Sequence, residues 1–173
     1  LLRIRLEDGG RRAIRALEGR SDVRAFARRV RSEGLISSPR SNAGVRVVGV
    51  DPPAEARVST LEETVVRGAF LDGERRRVLV GEELARRLHV DVGSKVVVSV
   101  QDLAGDLTGE AFRVGGIYRS ALGELERTTI FVRLSESQRL FGLGEGISEL
   151  VVVAREPADI APLRRFLQRA LGE

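Results

Sequence analysis

The chain has no cysteine, which excludes disulfides and thiolate-held metals and is compatible with either side of a bacterial inner membrane. Aromatic residues make up only 4% of it, too few for the stacking platforms of a nucleic-acid binder. No apolar run approaches the roughly 20 residues that cross a bilayer as a helix. A dominant sign of charge is also lacking: 29 basic residues face 25 acidic ones in 173, a net +4. The pI of about 10.7 reflects arginine, since Lys95 is the sole lysine and guanidinium does not deprotonate. Basic and acidic residues interleave, as in Arg20-Ser21-Asp22 and Glu124 to Arg127, the pattern of a mixed solvated surface. No nucleic-acid partner is expected.

What is present is the content of a folded domain, with 42% hydrophobic and 31% charged residues. The opening Leu1-Leu2-Arg3 has no methionine and no signal-peptide pattern, so the chain is expected to be a domain of a longer protein. Leu1 to Leu6 alternates as a half-buried strand. A polar stretch with Gly9-Gly10 and Gly19 follows. The spacing of Val23, Phe26, Ala27 and Val30 predicts a helix capped by Ser21 and ended by Gly34. Val45 to Val50 reads as the next strand.

The middle reads as β-rich. Ser59-x-x-Glu62 and Thr60-x-x-Glu63 are capping-box patterns for a short helix stopped by Gly68. Strands are predicted at Arg77 to Val80, Lys95 to Val100, Ala111 to Tyr118 and Thr128 to Arg133, with a helix at Glu82 to Leu88. Ser135-x-x-Gln138 is a further capping box, for a helix ending at Gly142. Glu149 to Ala154 reads as a buried strand, and Asp159 as the cap of a last helix carrying Ile160, Leu163, Phe166, Leu167, Ala170 and Leu171. A further strand is expected after Leu171.

Chemistry finds little to use. His89 is the only histidine and has no nucleophile elbow or metal-ligand pattern near it, so a helix-end, solvent-facing role is expected. Gly142-x-Gly144-x-Gly146 lacks the spacing and the strand-to-helix order of a phosphate loop and reads as a joint. Asp102, Asp106 and Glu110 lack the alternation of a calcium loop and read as a charged hairpin connection. The pairs Arg28-Arg29, Arg86-Arg87 and Arg164-Arg165 are placed on polar helix faces. No Walker A lysine motif occurs. No catalytic residue, cofactor or metal is assigned.

The middle of the chain resembles a family. Gly49-Val50-Asp51-Pro52 with Glu55, then Gly68 and Phe70, are similar to a stretch of the lipoprotein-releasing permeases. So are Val80-Gly81-Glu82-Glu83-Leu84-Ala85 through Val92-Gly93-Ser94-Lys95-Val96, and Phe112-Arg113-Val114-Gly115-Gly116-Ile117-Tyr118. Glu126, where the family often has aspartate, precedes Thr129 to Leu134 and Gln138-Arg139-Leu140 in family order.

The resemblance implies the extracytoplasmic, MacB-like periplasmic core domain of an ABC-transporter permease of the lipoprotein-releasing and FtsX-like kind. The implied fold is α+β in two lobes. A discontinuous α+β lobe (residues 1–58 and 145–173, strand-helix-strand plus strand-helix) would lie near the membrane, with an inserted β-rich lobe at 59–144. The implied partners are a second permease subunit in a homo- or heterodimer, a separate cytoplasmic ATPase subunit, and a lipoprotein, lipid or other amphiphilic substrate. A periplasmic chaperone or adaptor is a further implied partner, although the connection from Gln101 to Glu110 is short where chaperone-recruiting members carry a longer hook. The stretch Ser37 to Asn42 is also shorter than the family suggests. One apolar segment before Leu1 and about three after Glu173 are expected, each roughly 20 residues long. Leu122 and Leu125, in the loop from Ser120 to Arg127, are the candidate substrate or partner contacts, with lobe packing as their other role. The alternative function is a soluble basic binding module for nucleic acid or a protein partner; a hydrolase or transferase is disfavoured by the lone His89.

Overall fold

The computed structural model describes residues 1–5, 10–71 and 73–171. The fold is α+β, as the sequence implies. β1 (Leu2–Arg5) leads to α1 (Arg11–Leu17), then to the long strand β2 (Val23–Ser37) and β3 (Asn42–Val50). A four-residue helix, α2 (Pro52–Glu55), and a 3-10 turn at Glu62–Thr64 precede β4 (Val65–Gly68). β5 (Arg77–Gly81), α3 (Glu82–Leu88), β6 (Lys95–Gln101) and β7 (Leu107–Tyr118) follow. The chain closes through α4 (Gly123–Thr128), β8 (Thr129–Arg133), α5 (Leu134–Leu140), β9 (Glu149–Ala154) and α6 (Ile160–Leu171).

Six of these strands close on themselves. β2 pairs with β3, β3 with β8, β8 with β5, β5 with β7, β7 with β6, and β6 returns to β2. Side chains from all six, among them Ile36, Val47, Val80, Val98, Phe112 and Ile130, share one buried cluster that fills this small barrel. The cluster continues through Val30, Leu150 and Val152 beneath Leu17 of α1 and Leu163 and Leu167 of α6. β2 makes that continuity possible. Its first half pairs with β9 (Phe26↔Val152, Arg29↔Glu149), and its second half with β3 and β6. At about 3.3 Å per residue its 15 residues run roughly 50 Å.

The helix expected from Ser21 to Gly34 is instead the strand β2, and the helix of this region is α1, in the stretch read as a polar connection. The reason is burial of charge. Ala27, Arg29 and Arg31 lie on one face of β2 and Val30 on the other, so two faces are covered and the period of two is masked. Arg29, expected on a polar helix face, is buried at 8% exposure. Arg86-Arg87 and Arg164-Arg165 do stand exposed on α3 and α6. Leu6 and Gly9, and any strand after Leu171, lie outside the described residues.

The capping boxes also resolve differently. Ser59 donates its hydroxyl to Glu55 Oε1 at 2.5 Å and accepts the Leu61 amide at 3.3 Å, and the element that follows is only a 3-10 turn, with Leu61 before it. Arg133, not Ser135, is the residue before α5. Asp159 caps the 3-10 turn Pro157–Asp159, accepting from the Glu156 amide, and α6 grows from the end of that turn.

Candidate functional site

The barrel's outer face carries a cavity of about 250 Å³ beside β1, β9, β2, β3 and β8. Register explains its chemistry. Arg29 stands opposite Glu149, Arg31 opposite Val48, Arg46 opposite Thr129, and Val48 opposite Phe131. One face of adjacent strands therefore presents a charged end and an apolar end. Val48 and Phe131 sit with the half-buried Leu61 and Leu125 in a second buried cluster, and all four line the cavity.

The charged end is a network. Arg29 donates from Nε to Glu55 Oε2 at 3.0 Å and from Nη2 to Oε1 at 2.5 Å, a bidentate pair from β2 to α2. Glu149 on β9 bridges two arginines, 3.6 Å from Arg29 Nη1 and 3.6 Å from Arg31 Nη1. Glu55, the acid of the Gly-Val-Asp-Pro motif stretch, is thus a structural clamp whose carboxylate is buried at 1% exposure. Burial of both partners with satisfied hydrogen bonds makes the pair tolerable where either ion alone would not be.

Tyr118, fully buried, hydrogen-bonds through its hydroxyl with the carbonyls of Leu125 and Thr129, each at 2.8 Å. It ties β7 to α4 and the start of β8, and its ring meets Phe131 edge-on at 5.5 Å. Burial, and then the charge of Glu126, push its pKa far above that of a free phenol. A raised native pKa holds its stabilisation in full below the unfolded value of about 10 and loses it as pH climbs beyond. Tyr118 is the only tyrosine and tryptophan is absent, so tyrosinate absorbance reports this residue alone. The native protein is expected to show almost no tyrosinate at pH 11, while the urea-unfolded chain titrates near 10; coincident titrations would contradict the burial.

The remaining candidates fall apart chemically. His89 is exposed, ends α3 in the left-handed region at φ 58°, and its ring Nδ1 lies 3.2 Å from the Arg86 carbonyl, which accepts. Asp102 Oδ1 accepts the amides of Ala104 and Asp106, each at 2.9 Å, and so holds its own turn at the β6–β7 hairpin. The Arg139 guanidinium binds Glu110 and holds its carboxyl below the usual range. Among the described residues no cluster of His, Cys, Asp and Glu is placed to hold a metal. No helix of the described chain is long and apolar enough to cross a membrane.

Leu122 is 70% exposed, just before α4, whereas Leu125 turns inward and lines the cavity. The two sequence-selected leucines therefore occupy different surroundings. Sequence reasoning missed the roles of Arg29, Arg46, Thr129 and Glu149; the alternation Arg29-Val30-Arg31 could have pointed to Arg29, and no spacing points to the other three.

The profile of the MacB-like periplasmic core domain matches residues 4–170. The lipoprotein-releasing system transmembrane protein LolC of Neisseria meningitidis is 24% identical over 167 residues, 91% of this chain. LolC of Xylella fastidiosa is 27% identical over 118 residues, or 64% of it. The chain spans 40% of the Neisseria protein and 28% of the Xylella one. In fold it is similar to the extracellular domain of the noncanonic ABC-type transporter YknZ, with TM-score 0.69 and 16% identity over 94% of this chain and 81% of that one. The periplasmic region of MacB from Actinobacillus actinomycetemcomitans gives TM-score 0.65 and 14% identity over 99% of this chain and 83% of that one. The molecule is therefore a periplasmic domain of an ABC-type permease in the inner membrane. The chain belongs to the MacB-like periplasmic core domain family.

Proposed function

We propose that this domain couples ATP-driven motion of its permease's membrane helices to the extraction or export of a lipoprotein, lipid or other amphiphile. ATP would be hydrolysed by a separate cytoplasmic subunit, and a second permease subunit would complete the transporter. The LolC relatives support the choice of an amphiphilic cargo. The observation that carries the reading is β2. β1, α1, β9 and α6 gather at one end of this strand, and the barrel is built on its other half. Displacement of the terminal elements would pass through one continuous strand into the barrel. Residues 1–58 and 145–173 would serve as the membrane-proximal lobe and 59–144 as the moving one, with β2 and β3 shared by both. Leu122 is a contact for cargo or for the second permease subunit, and Leu125 a contact inside the cavity.

The test is a full-length permease in membranes with its ATPase, with residues 4–170 replaced by a flexible linker. Continued ATP hydrolysis with cargo release at background supports coupling through this domain. Undiminished release would overturn it. In the intact permease, Leu122→Asp is expected to lower release about tenfold with the fold retained, in the range of a lost interface anchor.

A further inference from the structure

The cavity between β1 and β8 has a composition that packing alone does not require. Among the described residues, four arginines line it, Arg3, Arg29, Arg31 and Arg46, against two glutamates, Glu55 and Glu149. Arg29 is consumed by Glu55, and Glu149 is shared by Arg29 and Arg31. Among the described residues Arg46 pairs only with Glu33, at 3.4 Å, and that carboxylate's side chain is 77% exposed, so water screens the contact and leaves it weak. Arg3 makes no ion pair or side-chain hydrogen bond among the described residues. Among the described residues, Arg3 and Arg46 thus leave positive charge at one end of an apolar pocket.

A second feature is independent of charge. Thr129 lines the same cavity at 1% exposure, and its hydroxyl Oγ1 is buried without a hydrogen-bond partner. Such an orphan is destabilising relative to a satisfied group. Valine has nearly the same shape and would avoid that cost. Threonine opposite Arg46 in the β3–β8 register places a hydroxyl and a guanidinium side by side, the pair of donors that an anionic oxygen takes. The other end of the pocket is Val48, Phe131, Leu61 and Leu125, which offer only hydrocarbon.

We propose that this cavity binds the phosphate head group of an anionic amphiphile, with Arg46, Arg3 and Thr129 on the phosphate and Phe131, Val48 and Leu125 on the first carbons of an acyl chain. The volume of about 250 Å³ lies below the roughly 300–1,000 Å³ of a drug-sized site. It admits a head group and the start of one chain and not a whole lipid. Binding is a property of this chain alone, so it is measured without transport and stands or falls separately from the coupling proposed above.

The experiment is titration calorimetry of the chain with three monomeric probes: dihexanoyl phosphatidylglycerol, dihexanoyl phosphatidylcholine and inorganic phosphate, with amide NMR shifts to locate the site. The anionic lipid is expected to bind at least about tenfold more tightly than either other probe, the value of one good charge-assisted contact, and to shift Thr129, Phe131 and Val48. Equal binding of the zwitterionic lipid would leave only an apolar pocket, and equal binding of phosphate only a free-anion site; either overturns the proposal, as does absence of binding. Arg46→Gln is expected to weaken the anionic lipid about tenfold. Thr129→Val separates ligand from fold. The free variant is expected to melt at the same temperature or higher while the anionic lipid binds several-fold more weakly. Unchanged affinity in either variant would remove the assigned contacts.

Discussion

Glu55→Ala is expected to destabilise the domain by about 3–5 kcal/mol, the cost of leaving one member of a buried ion pair alone. Arg29 keeps its place in β2, its side chain 10% exposed, and its next anion is Glu149 at 3.6 Å, already shared with Arg31. Ser59 loses its acceptor too. With a urea slope of roughly 2 kcal/mol per molar, the unfolding midpoint falls by about 2 M. The double variant Arg29→Met with Glu55→Leu is expected to recover much of the loss, because matched apolar residues remove both charges. Equilibrium urea unfolding of the three proteins decides it: a single-variant cost below about 1 kcal/mol would mean that solvent reaches the pair.

The second large effect belongs to a residue with no side chain. Gly81 joins β5 to α3, and a Cβ placed there would overlap the Glu126 carbonyl oxygen and stand 2.6 Å from its carbonyl carbon and 2.7 Å from its Cα. These are main-chain atoms of α4, and they cannot rotate aside. Gly81→Val is expected to cost about 3 kcal/mol or more, since β5 and α4 must part. Gly44→Ala is the control. A Cβ at Gly44 meets nothing within 4 Å, and its change is expected to stay within about 0.5 kcal/mol. Similar melting curves for the two variants would refute the close approach.

The same clash explains why the motifs were legible. Gly49 of Gly49-Val50-Asp51-Pro52 would bring a Cβ to 2.5 Å from Ser137 Cβ on α5, and Gly116 of the Phe112 to Tyr118 motif would run into the Ala69 carbonyl. With Gly81 these are positions where main chain or helix approaches a strand closely, which a sequence pattern records as glycine. Glu55 is legible for the same reason, because it clamps Arg29. The family resemblance was therefore carried largely by packing residues. From β5 to α6 the element order followed the apolar periodicity except at α4, which reads in the sequence as part of a loop from Ser120 to Arg127. In Lys95 to Gln101 the buried positions Val96, Val98 and Val100 alternate with outward Lys95, Ser99 and Gln101.

The first third hid its structure for the opposite reason. Arg29 and Arg31 look like solvent-facing residues of a helix, and only the acids of α2 and β9, 26 positions away in the case of Glu55, make them a paired, charged face of a strand. The cavity was equally concealed. Arg46, Thr129, Phe131 and Glu149 come from three strands remote in sequence, and no spacing rule joins them. Leu125 was selected from its loop, but the inward turn that separates it from Leu122 depends on the second buried cluster around Phe131 and Tyr118.

The closed ring of six strands also governs how copies of this domain can meet. In the sheet order, β1 and β4 stand at the two ends, and each has four residues. The two terminal edges of the sheet are therefore short, which disfavours edge-to-edge growth there and the amyloid-like stacking that long exposed edges invite. Two such domains brought together end to end would thus meet mainly through side chains, each keeping its own sheet.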